Sequence, residues 1–185
     1  FHEGIHTMIL SFTIDNWMSF RDRVSFSMVA SRERQHGERV SKINKYRTRI
    51  LPIAALYGGN ASGKSNFFKA IQFVKKLVVE GTKVDESIPV EPFKLDSTSA
   101  SQPSSFALEL MIDETIYEYS FSVSRKEVPE EKLVRITSSS ETVIFERRDG
   151  KIVFDQSGGD KFLEFVFRGT RSNQLFLTNS VSQNV

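Results

Sequence analysis

The residues best suited to chemistry lie in one glycine-rich segment, Gly58–Ser65, which reads G-G-N-A-S-G-K-S. This spacing satisfies the pattern of a glycine, four residues, and then glycine, lysine, and serine or threonine. Gly58 and Gly63 permit backbone angles that a side chain forbids, so successive amide groups can converge on an anion. Lys64 adds a positive charge, and the Ser65 hydroxyl is a ligand that magnesium accepts. The segment therefore predicts a site for the phosphates of a nucleoside triphosphate, ATP with Mg²⁺.

Two elements must hold such a loop, and the sequence offers a candidate on each side of it. Ile50–Tyr57 is a nearly continuous apolar run, which is typical of a strand buried on both faces. Gly63–Glu80 is predicted to be a helix, ended by Gly81, and its apolar residues are too widely spread for a single stripe. We expect this helix to pack between two layers and to point its positive end at the anion. The alternative is an accidental glycine-rich turn before Lys-Ser, and the flanking strand and helix argue against it.

The residues before the loop predict two strands and a basic connection. Met8–Asp15 and Arg23–Ala30 have the β-branched and aromatic content of strands, and the aromatic segment Asn16–Phe20 connects them. Ser31–Thr48 is polar and basic, which predicts a solvated loop or a short exposed helix. Contact of this segment with nucleic acid is an alternative interpretation. Phe1–Thr7 is predicted to be a leader before a natural start at Met8.

The residues after the loop helix change in character. Gly81–Ser105 is rich in proline and serine and predicts an irregular connection. Two hairpins are then predicted, the second from the Asp149-Gly150 turn signal and the first from period-two alternation on both arms. Their arms are Phe106–Asp113 with Ile116–Ser124, and Thr142–Arg148 with Lys151–Asp155.

Composition sets the broader limits. The chain has 185 residues, 39% of them hydrophobic and 26% charged, which suits one globular domain or a lobe of a larger one. It contains no cysteine, which excludes disulfides and thiolate metal sites and favours a cytoplasmic location. Its net charge of +2 gives no global attraction to nucleic acid, and no apolar run approaches a membrane span. The three histidines have no metal-ligand spacing.

Two segments together resemble a known family. Tyr57–Asn66 resembles the G-x-N-x-x-G-K-S-N loop of ABC-type ATPases of the SMC, RecF and OLD kind. Ile14–Asp22 (IDNWMSFRD) resembles the asparagine–aromatic–x–serine–aromatic element that these proteins carry upstream. Within that group the chain is most similar to bacterial AAA ATPases of phage defence, of the RloA, Septu and PARIS type. The resemblance covers Met8–Ser124 and fades beyond it.

The resemblance implies an ATPase head that dimerises around two ATP molecules and controls an effector such as a nuclease or toxin. It implies that the basic residue Arg21 reaches the nucleotide, and that Gln183 is a magnesium-sensing glutamine beside the magnesium ligand Ser65. It also implies that the loop wraps the phosphates, with these nucleotide-binding residues: Gly58, Gly59, Asn60, Ala61, Ser62, Gly63, Lys64, Ser65 and Asn66.

An ATPase of this kind also needs a Walker B strand, a catalytic glutamate and a signature sequence. Asp113-Glu114 follows an apolar run, but Glu109 interrupts that run and its alternation predicts a hairpin strand. Asp155 is rejected as a Walker B aspartate for the same reason, because it ends the second arm of the Asp149-Gly150 hairpin. No segment matches the signature sequence. The catalytic residues are therefore left unassigned.

These observations predict an α/β fold: the N-terminal lobe of an ABC-type P-loop NTPase, with a mixed sheet around the loop helix and an antiparallel β meander. The expected organisation is a leader over residues 1–7 and a nucleotide-binding core over 8–80. An irregular connection follows over 81–104, and an antiparallel subdomain over 105–185 runs toward a second lobe.

Three functions are compatible with these features. The first is an ATPase lobe that is inactive by itself and regulates an effector, as a homodimer or higher oligomer, in antiviral defence. The second is a self-contained P-loop phosphotransferase with Asp113 as its magnesium ligand. The third is a non-catalytic module whose interactions depend on nucleotide.

Overall fold

The computed structural model of the chain describes residues 7–31, 37–155 and 161–184. Its main element is a seven-stranded sheet of order β2-β1-β5-β6-β7-β8-β9, in which every neighbouring pair is antiparallel. The strands are β1 (Thr7–Asp15), β2 (Val24–Ser27), β5 (Ser104–Ile112), β6 (Thr115–Val123), β7 (Glu130–Ile136), β8 (Glu141–Arg148) and β9 (Lys151–Phe154).

Among the described residues, four α-helices accompany the sheet: α1 (Lys64–Glu80), α2 (Ser97–Ser101), α3 (Lys161–Arg168) and α4 (Phe176–Ser182). This mixed α/β architecture is consistent with the α/β fold that the sequence predicts. No helix among the described residues combines the length and the apolar character that crossing a membrane requires.

The long helix α1 begins and ends where the sequence predicts, with Gly81 after its last residue. It packs on the sheet through four buried residues at intervals of three and four, which is one face of a helix: Phe67, Ala70, Val74 and Leu77. The prediction that α1 lies between two layers is wrong for the described structure. Phe68 and Val79, on its other side, are 55% and 70% exposed.

The predicted strand over Ile50–Tyr57 is also wrong beyond its first residue. Ile50 ends β4 and is 1% exposed, but residues 52–62 are exposed and form no strand, with Ile53 at 79% and Tyr57 at 92%. A strand exists only where a neighbour accepts and donates its backbone hydrogen bonds. No described strand lies beside this segment to do so.

The basic segment before the loop is more ordered than predicted. Two 3-10 turns, Gly37–Arg39 and Asn44–Tyr46, accompany a small hairpin of β3 (Ser41–Ile43) and β4 (Thr48–Ile50). Ile43 and Ile50 are buried in an apolar cluster with Leu10, Met111 and Ile116. The Tyr46 hydroxyl donates to the carbonyls of Glu114 and Ile136. Buried apolar residues within this charged segment therefore attach it to the sheet. Residues 32–36 lie outside the described part of the chain.

Both predicted hairpins are confirmed. β5 pairs with β6 from Ser104↔Val123 to Ile112↔Thr115, and β8 pairs with β9 around Asp149-Gly150. Positive φ at both turn residues, 45° and 61° at Asp113-Glu114 and 50° and 72° at Asp149-Gly150, matches the tight turns that join twisted strands. β1 begins at Thr7, one residue before its predicted start, and residues 1–6 of the predicted leader lie outside the described residues.

A buried carboxylate joins the sheet to α4. Glu131 of β7 is 1% exposed, and it accepts from the amides of Phe176 (2.6 Å) and Leu177 (2.9 Å) and from the Tyr119 hydroxyl (2.8 Å). The Arg147 guanidinium lies 3.7 Å away and donates to the Gln174 carbonyl. Burial raises the pKa of Glu131 and lowers that of Arg147, while each opposes the other's shift by its charge.

Candidate phosphate-binding site

The loop before α1 has a backbone that only particular residues accept. Gly63 has φ +91° and Ala61 φ 59°, both in the left-handed region. At Gly58 a Cβ would lie 2.6 Å from the Ser62 hydroxyl, closer than real Cβ contacts come. The backbone conformation at Gly63 therefore requires glycine, and at Gly58 a side chain would force the Ser62 side chain to move.

The first turn of α1 leaves donors available at the loop. Gly63 is the N-terminal cap and makes no side-chain capping bond, and the first helical hydrogen bond runs from the Phe67 amide to the Gly63 carbonyl. The amides of Lys64, Ser65 and Asn66 therefore have no partner within the helix. No acidic residue lies in this turn. Free amides and the positive end of the helix favour an anion here.

The Lys64 side chain folds back over the loop. Its Nζ donates to the carbonyls of Gly58 (2.7 Å) and Gly59 (2.6 Å) and lies 3.2 Å from the Ser62 hydroxyl. Lys64 is half-buried and Ser65 is exposed. The ammonium is therefore held by exposed oxygens of the loop itself, which phosphate oxygens can replace as partners.

These residues fit a magnesium–nucleotide ligand. The amide donors, the ammonium and the Ser65 hydroxyl are the groups that hold phosphate oxygens and one position of Mg²⁺ in such loops. No group of three histidine, aspartate or glutamate side chains in the described ranges could hold a metal by itself. Mg²⁺ at this site would accordingly depend on the phosphates for part of its coordination.

The upstream segment Asn16–Phe20 forms a tight turn against the loop. Trp17 and Phe20 exchange backbone hydrogen bonds of 2.8 and 2.7 Å, and Asn16 and Met18 have φ 52° and 47°. The Trp17 indole donates to the Asn66 backbone carbonyl at 3.1 Å, and the Ser19 hydroxyl accepts from the Asn66 side-chain amide at 3.1 Å. The motif that resembled the family element thus touches the phosphate loop directly.

Asn16 holds this turn in place and is almost fully satisfied. Its side-chain amide donates to three carbonyls at the end of α2, and its Oδ1 accepts from the Phe93 amide. The Ser104 hydroxyl donates to its carbonyl. These tertiary contacts give the asparagine a structural role that the sequence motif alone does not reveal.

The remaining predicted residues stand apart from these contacts. Arg21 is 60% exposed at its side chain and pairs with Asp22 at 3.2 Å. It lines a cleft of about 470 Å³ with Asn16 and the α2 residues Thr98 and Ser99. Gln183 is exposed and follows α4, with its amide bonded to carbonyls of that helix. Their nucleotide and magnesium roles stay predictions.

Asp113 is remote from the turn that touches the loop. Ser105, at the opposite end of β5, pairs with Asp15 immediately before the Asn16–Phe20 turn. Eight residues of antiparallel strand separate Ser105 from Asp113, which is roughly 27 Å. Asp113 therefore belongs to the far end of the sheet, beside the β3–β4 hairpin.

A family model described as "AAA domain, putative AbiEii toxin, Type IV TA system" matches residues 53–174. The match contains the loop, α1 and strands β5 to β9, and it covers more than half of the chain. No curated protein and no solved structure matches the chain.

Proposed function

Because the chain belongs to this AAA-domain family of P-loop ATPases, we propose that it is the ATP-binding lobe of an ABC-type ATPase. In this proposal, ATP-dependent dimerisation of the intact protein regulates a partner effector in phage defence within the cytoplasm. The observation that carries the nucleotide assignment is the loop itself, where free first-turn amides and the Lys64 ammonium meet. The family description names a toxin of a toxin–antitoxin system, which supports an effector of that kind.

Each loop residue has a distinct role in the proposed site. Gly58 and Gly63 allow the loop to close around the phosphates, and the amides of Lys64 to Asn66 bind their oxygens. Lys64 neutralises charge on the β- and γ-phosphates, and Ser65 offers a magnesium ligand. Bound Mg²⁺ would neutralise phosphate charge and orient the triphosphate. Arg21 and Gln183 complete the site as nucleotide and magnesium contacts in this proposal.

The exposed apolar residues beside the loop support an assignment to one lobe of a larger assembly. Ile53 and Tyr57 precede the loop, and Phe68 and Val79 lie on the side of α1 opposite the sheet. To bury this exposed side of α1 as well, a second layer of secondary structure must pack against it. We propose that further strands of the ATPase pack here and draw residues 51–57 into a sheet.

Phosphate release tests this assignment. Efficient phosphoryl transfer needs a positioned water and charge neutralisation from several directions. The loop contributes only part of this, so we expect the 185-residue chain to bind Mg-ATP and to hydrolyse it far more slowly than ~1 per second. Lys64→Ala provides the background rate. Turnover of the chain at ~1–10³ per second would contradict the assignment and favour a self-contained phosphotransferase.

Phosphate release and sedimentation of a longer form of the protein, each measured with Mg-ATP, separate the remaining alternative. A module that changes partners with nucleotide but never hydrolyses it would show binding and no release in any longer form of the protein. A longer form that regains turnover supports the ATPase-lobe assignment. A nucleotide-dependent shift to a dimer in that longer form supports the proposed dimerisation.

A further inference from the structure

One side-chain pair connects the Asn16–Phe20 turn to the phosphate loop, and we propose that Ser19 is a positioning residue of the nucleotide site that acts through Asn66. The inference rests on the proposed function, since positioning matters only if the loop binds nucleotide. It assigns Ser19 a role in binding that the loop motif itself does not contain.

The contact between turn and loop is close on two sides. The Ser19 hydroxyl accepts from the Asn66 side-chain amide at 3.1 Å. A Cβ built on Gly63 would lie 3.0 Å from the same hydroxyl and 3.4 Å from the Phe20 ring. Ser19 therefore lies against both Gly63, the residue that precedes α1, and Asn66 in the first turn of α1.

The turn that carries Ser19 is held by hydrogen bonds and by packing. The reciprocal backbone bonds of Trp17 and Phe20 close it, and the Met18 amide donates to the Glu91 carbonyl at 2.8 Å. The Trp17 ring is 3% exposed and packs against Phe73 and Phe106, with centroids 4.9 and 5.4 Å away. A hydroxyl on such a turn has a fixed position, which is what positioning of another group requires.

Asn66 lies in the first turn of α1, where its side chain could interfere with the loop. Asparagine side chains readily bond to nearby backbone groups and so compete for free amides. At Asn66 those amides are the ones that an anion would use. Ser19 engages the side chain and Trp17 engages the carbonyl, so both halves of Asn66 are held by the turn.

A double-mutant cycle on Mg-ATP affinity tests the inference. We expect Ser19→Ala to weaken the binding of Mg-ATP about 3- to 10-fold, the range for one hydrogen bond. Asn66→Ala should weaken it by a similar factor. In the double variant the loss should match that of Asn66→Ala alone, since Ser19 acts through Asn66. Without nucleotide, Ser19→Ala should stay folded, with a melting temperature within about 5 °C of the wild type, since one exposed hydrogen bond contributes about 0.5–1.5 kcal/mol to stability.

Ser87→Ala is the matched control, because Ser87 is exposed and belongs to a segment remote in sequence from the turn and the loop. It should bind Mg-ATP as the wild type does. Wild-type affinity in Ser19→Ala, or losses that simply add in the double variant, would overturn the positioning role while leaving the proposed function intact. A folded wild-type chain that binds no Mg-ATP would overturn the proposed function and this inference together.

Discussion

At the residue scale, Gly63 is the position where the loop tolerates least change. Its φ of +91° is strained for any side chain, and a Cβ there would meet the Ser19 hydroxyl at 3.0 Å. We expect Gly63→Ala to cost about 1–2 kcal/mol of local strain and to weaken Mg-ATP binding about tenfold. Titration of the folded variant measures this loss.

Gly59 provides the matched comparison within the same loop. Nothing lies within 4 Å of a Cβ at Gly59, and its φ is outside the strained range. Gly59→Ala should therefore bind Mg-ATP within a factor of about two of the wild type, since exposed, unstrained changes have small effects. Equal affinities for the two alanine variants would contradict the importance of the Gly63 conformation.

Asp113 tests the phosphotransferase alternative. It lies in the two-residue turn between β5 and β6, roughly 27 Å along the strand from the end that adjoins the Asn16–Phe20 turn. Asp113→Asn is expected to leave the Mg-ATP dissociation constant unchanged within about twofold, because the variant keeps the turn's shape and size. Loss of magnesium-dependent binding in this variant would restore Asp113 as a metal ligand.

At the element scale, Glu131 is the side chain that attaches α4 to the sheet. Glu131→Ala would leave the amides of Phe176 and Leu177 without their acceptor and Arg147 as an unpaired buried charge. Removal of one partner of such a pair costs about 3–5 kcal/mol. We expect that loss in the free energy of unfolding, measured by urea denaturation.

The neighbouring residue is the control. Glu130 carries the same charge on the same strand, but its side chain is 51% exposed where it pairs with Arg148. Glu130→Ala should cost about 0–1 kcal/mol, as surface ion pairs do. If both variants lost the same small amount, the buried cluster would not be what holds α4.

Elements differed in how far the sequence could specify them, and the reason is the range of the interactions involved. The β5–β6 and β8–β9 hairpins follow from alternation and turn residues that lie next to each other in the chain. β7 escaped prediction because Glu131 occupies one of its buried positions and the register shifts between Leu133 and Val134, so its apolar residues do not alternate. Its partners come from α4 and β8, which local sequence does not reveal.

The whole molecule is an antiparallel sheet with α1 on one face and the β3–β4 hairpin covering part of the other. The sequence was sufficient to predict a glycine loop leading into α1, because the left-handed Gly63 and the start of the helix are set by residues next to each other in the chain. It was not sufficient for residues 51–57, which are apolar enough for a buried strand. Burial of a strand depends on neighbours elsewhere, and no described strand lies beside this one.

Binding of Mg-ATP to the wild-type chain and to Lys64→Ala is the most direct test of the nucleotide site. Lys64 contacts only exposed loop oxygens in the described structure, so its truncation should leave the fold and the melting temperature unchanged. Calorimetric titration should show saturable binding to the wild type. It should show a loss of at least about a hundredfold in Lys64→Ala, since charge-assisted bonds contribute about 1.5–3 kcal/mol each. A folded Lys64→Ala variant with wild-type affinity would contradict the site.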